Sequence, residues 1–192
     1  KEKTGKHMLT LDPSDLGQIR MMLQSAGAWY TDEEGKVNIK DNEALKQAFS
    51  TYQKIVDSGI SKQVSDWDQF VGAFNNGDVA SVPIGCWISP SILKAEDQSG
   101  KWAVAAFPKM AENADSVNAS SIGGAGWYVL KNVGHEELAK DFLSKTFASN
   151  AELMNQLAVD INLVSTLKAA ESAENYTKGI EYYGGQEVFA DF

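Results

Sequence analysis

The sequence predicts an α/β layer structure, a mixed sheet covered by helices, on three observations. Apolar residues recur at helical spacing in several stretches that have helix-starting and helix-stopping residues at their ends. Between these stretches lie short apolar runs bounded by glycine, proline or polar clusters, as strands usually are. A chain of 192 residues that is 43% hydrophobic and 10% aromatic has enough apolar surface to build a core. No internal repeat is visible, so alternating helices and strands imply helices laid over a sheet.

Taken in order, Ser14 to Ser25 places Leu16, Ile19 and Leu23 on one helical face, with Asp12-Pro13-Ser14 as start and Gly27 as stop. The segments AWY and KVNIK flank Asp32-Glu33-Glu34-Gly35, which reads as two short strands joined by an acidic turn. From Asp41 the period changes. Leu45, Ala48, Phe49, Tyr52, Ile55 and Val56 define a helix that Gly59 ends. A shorter helix carries Trp67, Phe70, Val71 and Phe74 and stops at Asn75-Asn76-Gly77. Val79 to Ile84 and Trp102 to Phe107 read as strands, the second closed by Pro108. Residues 111–121 are small and polar, a loop leading to Gly123-Gly124-Ala125-Gly126 and a strand over Trp127 to Leu130. Two helical patterns follow, His135 to Phe147 and Ala151 to Ala158, and then a tail with Tyr182-Tyr183-Gly184-Gly185-Gln186.

Several function classes lack their residues. The formal net charge is −9 and the 17 basic residues are scattered, so no nucleic-acid partner is expected. No apolar run approaches the ~20 residues of a membrane helix, and no signal-peptide core follows KEKTGK, so the chain as it stands is expected to be soluble. Two isolated histidines, His7 and His135, and one cysteine, Cys86, give no metal-ligand spacing. No metal or cofactor is therefore expected. A lone Cys86 beside Trp87 suits a packed thiol better than a nucleophile. The Gly123–Gly126 run has neither the spacing nor the following helix of a dinucleotide or phosphate cradle. Asp32, Glu33 and Glu34 are adjacent in a turn, whereas glycoside hydrolysis needs two opposed carboxyls.

The tryptophans point elsewhere. Trp29, Trp87 and Trp127 each follow a small residue where a loop meets a strand-like run, a position from which an indole can face a cleft. A pyranose has an apolar face of C–H groups and a girdle of hydroxyls, so its site needs flat aromatic platforms with a few acids and amides. An acidic, Trp-rich α/β chain without catalytic groups meets that demand.

The series GAWYTDEEGKVNIKDNEALKQAFSTYQKIVDSG, WDQFVGAFNNGDVASVPIGCW, GKWAVAAFP, SIGGAGWYVL, EELAKDFLSKTFAS and YYGGQEVF resembles the extracellular solute-binding proteins of bacterial ABC importers. The likeness is to the sugar-binding family that includes the maltodextrin-binding proteins. Its most specific part is the F-x-x-G-x-x-A-x-x-x-x-G-x-W element from Phe74 to Trp87. The resemblance implies a type II periplasmic-binding-protein-like lobe, a sugar ligand trapped between two lobes, and importer permease subunits as partners. It also implies a location outside the cytoplasm, periplasmic or lipid-anchored. By the same likeness Trp87 stacks on sugar, Asp12 approaches ligand hydroxyls, and Trp127 and the Gly124 backbone border the ligand. Full-length members are longer than this chain. Residues 1–122 are thus expected to form one lobe, 123–132 a hinge-crossing strand, 133–170 helices that pack on the other lobe, and 171–192 a returning tail. Alone, such a chain is expected to bind sugar weakly or not at all, and a dimer is one way to cover its apolar edge. A non-sugar solute (peptide, polyamine or phosphate ester), a glycosidase pairing Asp12 with Asp32 or Glu33, and an adhesive module stay open as alternatives.

Overall fold

A computed structural model describes residues 2–192, which pack as two compact units. One holds the chain up to Gly85 together with Ala106–Ile122, and the other holds Cys86–Ala105 with Gly123–Phe192. The segment Cys86–Ala105, expected in the first lobe, thus belongs to the second unit.

The first unit is an α/β arrangement around a small parallel ribbon. Strand β1 (Leu9–Leu11) is followed by helices α1 (Gly17–Ser25) and α2 (Glu43–Asp57), strand β2 (Ser61–Gln63) and helix α3 (Trp67–Asn75). β1 pairs in parallel with β2, Leu9 opposite Ser61 and Leu11 opposite Gln63, and His7 makes a further parallel bridge to Val79. Parallel neighbours require crossovers, which α1 with α2, and then α3, supply. Ile19, Met22, Leu23 and Ala26 of the α1 region meet Leu45 and Ala48 of α2, with Met110 closing the cluster. Ile19 and Leu23 are at most 1% exposed, and each such side chain contributes about 1.5–3 kcal/mol of hydrophobic stabilisation.

Caps set the helix ends. Asn42 accepts the Leu45 N–H at the start of α2, and Asp66 accepts the Gln69 N–H at the start of α3. α1 begins three residues later than the expected Ser14, because Asp12 and Asp15 turn back onto the N–H groups of Ser14 and Gly17 and hold the chain in turns.

The second unit is helical. It contains a short 3-10 turn at Cys86–Ile88, α4 (Ser89–Ile92), α5 (Glu136–Lys145), α6 (Ala151–Ile161) and α7 (Val188–Asp191). Met154 and Ala158 of α6 pack with Ala170, Tyr176, Tyr183, Val188 and Phe189, and Trp102 and Val104 lie against this cluster. α5 buries none of its side chains, and Leu138 and Phe142 on it are exposed.

Three expected strands are absent among the described residues, each for its own reason. In Val79 to Ile84 only Val79 is buried and bridged, the Ala80 and Ser81 N–H groups still reach the His7 and Met8 carbonyls, and Pro83 removes a further ladder donor. In Trp102 to Phe107 the Gln186 side-chain amide takes the place of a neighbouring strand, accepting the Val104 N–H and donating to the Val104 carbonyl at 2.8 Å each. Trp127, Tyr128 and Leu130 are exposed, Tyr128 at 87%, so the segment lacks the burial that would favour a ladder. The AWY and KVNIK pair is half formed. It keeps a single antiparallel bridge, Thr31 to Val37, around a turn in which Gly35 takes φ +79° and Asp32 accepts the Lys36 N–H.

Candidate functional site

Trp87 occupies the 3-10 turn Cys86–Ile88 and is 43% exposed, while its successors Ile88 and Ser89 are buried. The buried neighbours anchor the turn. Ser89 Oγ and Tyr183 Oη lie 2.7 Å apart in a hydrogen bond, and Tyr182 Oη sits 2.8 Å from the carbonyl oxygens of Ile92 and Ala95. The Tyr182-Tyr183 pair in the tail therefore clamps both ends of α4. Burial pushes the Cys86 thiol up from its ordinary value, so Cys86 stays protonated near neutral pH and packs rather than attacks.

Against the pyrrole edge of Trp87 lies Gly123, whose φ is +86°. Gly124 follows at φ +102° with open space where a side chain would be, so its backbone is accessible. Trp127 is 67% exposed and stacks on Phe147, ring centroids 4.8 Å apart at 26°. One face of that indole is thus occupied by a ring the sequence pattern did not single out.

In the first unit, Asp12 sits just before α1. The hydroxyl and N–H of Ser14 both donate to Asp12 Oδ1 and hold this carboxyl below its usual range. Asp12 is thus ionised at neutral pH, and among the described residues no donor is recorded for its Oδ2. A depressed carboxyl suits an acceptor of ligand hydroxyls and is the opposite of what a general acid needs. Trp29 lies beyond the other end of α1, 38% exposed and tilted on Tyr30 at 5.0 Å. It lines an open hollow of 630 Å³ with Gln24, Thr31, Asp32, Glu33 and Asn38. The nine residues of α1, roughly 14 Å of helix, separate Asp12 from Trp29, so the two do not share one hollow. Among the described residues no cluster of three His, Cys, Asp or Glu side chains could hold a metal ion, and no helix is long and apolar enough to cross a membrane.

What sequence reasoning missed is the support around Trp87: Gly123, Tyr182 and Tyr183. The tail motif was visible, but its target at α4 is about ninety positions away in the chain.

Relatives supply the context for this geometry. The chain is 40% identical over 193 aligned positions to the lactose-binding protein of Rhizobium radiobacter, covering all of this chain and 45% of that protein. It is 28% identical over 160 positions to the arabinooligosaccharide-binding protein of Halalkalibacterium halodurans, and 28% over 163 to that of Bacillus subtilis, covering 81% of this chain in both and 35% and 36% of those proteins. The chain therefore spans less than half the length of these curated relatives. The GacH receptor of Streptomyces glaucescens, solved unliganded and with acarbose, matches in fold with a TM-score of 0.66 at 22% identity, over all of this chain and 47% of that one. The family model described as bacterial extracellular solute-binding protein matches residues 1–182. By that span, the chain belongs to the bacterial extracellular solute-binding proteins.

Proposed function

We propose that the full-length protein binds an oligosaccharide outside the cytoplasm and presents it to the permease of an ABC importer, without chemical turnover. The observation that carries this reading is Trp87: a large indole, 43% exposed, held on a turn that runs into buried Ile88 and Ser89, the latter hydrogen-bonded to Tyr183. An exposed aromatic costs hydration unless something covers it, and a fixed flat ring matches the C–H face of a pyranose. In the second unit Trp127 beside Phe147 and the Gly124 backbone are the further contacts proposed; in the first, ionised Asp12 is proposed as an acceptor of ligand hydroxyls and Trp29 as a platform in its own separate hollow. The relatives named for lactose and for arabinooligosaccharides support a sugar over a peptide or polyamine. The depressed Asp12 carboxyl weighs against Asp12 as the general acid of the glycosidase alternative.

The division of labour is also proposed. Trp127, Tyr128, Leu130, Val133, Leu138 and Phe142 form an exposed apolar series in the second unit. In relatives of more than twice this span, such a series has further chain available to cover it. Residues 123–132 are therefore proposed for the hinge crossing and 133–170 for packing on the other lobe, the exposed series lying in 127–142.

Isothermal titration calorimetry with lactose, arabinooligosaccharides, a tripeptide and spermidine tests the reading. Heat of binding with a sugar, weakened at least about tenfold by Trp87→Ala, is expected. Binding of the peptide or spermidine with no sugar response would overturn it.

A further inference from the structure

We infer that Gly123 is a positioning residue for Trp87: its missing side chain is the seat that fixes where the indole points. This rests on the reading of Trp87 as a sugar platform. The seat itself is geometric. A methyl group on Gly123 would stand 2.8 Å from Trp87 Nε1, 3.3 Å from Cδ1 and 3.7 Å from Cε2. Carbon and nitrogen atoms in good contact sit at about 3.5–4.0 Å, so the first distance is an overlap and the second a tight contact. The three atoms belong to the pyrrole ring, so that edge of the indole faces the space a Gly123 side chain would take.

Two constraints meet at this one residue. Its φ of +86° disfavours any side chain, and the space a side chain would take is filled by the indole. The other left-handed glycines described in the second unit, Gly100, Gly124, Gly134, Gly184 and Gly185, have nothing within 4 Å of that position. Backbone strain alone therefore does not explain Gly123. Gly134, at φ +89° with open space, has the same strain without the contact and is the matched control. A platform whose azimuth is set by backbone contact loses less freedom when a ring lands on it than one that swings between rotamers. Gly123 would thereby act on sugar affinity without touching sugar.

The test uses the five indole N–H cross-peaks of the chain in nitrogen-15 spectra, with Trp87→Phe assigning the peak of interest. In Gly123→Ala without sugar, the Trp87 peak is expected to move by more than its linewidth, and in Gly134→Ala to stay in place. A Trp87 peak unmoved in Gly123→Ala overturns the seat. Should Gly123→Ala not fold, the Trp87→Ala, Gly123→Ala pair is expected to fold, because the obstructing ring is gone; failure of the pair overturns the seat as well. Lactose titration then separates the two readings. A displaced peak with sugar affinity lowered about tenfold supports both. A displaced peak with unchanged sugar affinity supports the seat and overturns Trp87 as the platform.

Discussion

The clamp beneath Trp87 makes a sharp energetic prediction. Ser89 is 1% exposed and Tyr183 5%, and their oxygens are 2.7 Å apart, so neither hydroxyl can turn to water if its partner is removed. Tyr183→Phe leaves Ser89 Oγ buried without that partner, at a cost of about 1–3 kcal/mol. Ser89→Ala orphans the phenol in the same way, with a smaller added term for the lost atom. In the double variant neither orphan exists, so the two losses should not add: a coupling of about 1 kcal/mol or more is expected. Urea unfolding of the four proteins, followed by circular dichroism and compared at constant m-value, measures it. Additivity within about 0.3 kcal/mol would refute the reasoning, because it would mean the pair is solvated or the contact energetically idle.

Three further outcomes follow from the same structure. Burial raises the phenol pKa of Tyr183, and of Tyr182, above the ordinary tyrosine value, so the folded state holds these protons more tightly than the unfolded chain. That contribution is fully present below about pH 10 and is lost as pH rises through the shifted values; urea midpoints should fall from about pH 10 upward, and less so in Tyr183→Phe. Asn42 accepts the Leu45 N–H and donates to the Trp29 and Asn38 carbonyls, so Asn42→Ala should cost about 2 kcal/mol or more in a thermal melt; a loss under about 0.5 kcal/mol would discount the cap. Gly179→Ala drives a methyl into the Gly185 carbonyl, in a loop held by Ile180 and Gln186, so the overpacking cost of about 1–3 kcal/mol should exceed the usual glycine-to-alanine gain of about 0.4–1 kcal/mol, and a raised melting temperature would contradict this.

The helices were legible because their signals are local. Leu45, Ala48 and Tyr52 repeat at helical spacing behind a capping Asn42, and α6 follows Asn150, which accepts the Leu153 N–H in the same way. The strands were not. β2 is Ser-Lys-Gln, with no apolar alternation to read, and it pairs because the crossover brings it beside β1. Conversely, the apolar run through Val79 looked like a full strand, but Pro83 and partial exposure end its pairing with His7 and Met8 at Ser81, and Gln186 satisfies Val104 from a position no local pattern could reveal. The site divides in the same way. Trp87 was visible as a large ring just past an apolar run, whereas Gly123 and Tyr183 matter only through contacts that the fold creates.

The central claim is that the Trp87 indole receives a sugar ring. Titrating lactose onto the nitrogen-15-labelled chain, at up to roughly millimolar concentration, tests it most directly. The account predicts a saturable shift of the Trp87 indole cross-peak, with the peak of Trp102, whose Nε1 donates to Gln98 Oε1 at 2.6 Å, unmoved. A Trp87 peak indifferent to lactose and to arabinooligosaccharides, or shifting no more than that of Trp102, would contradict it.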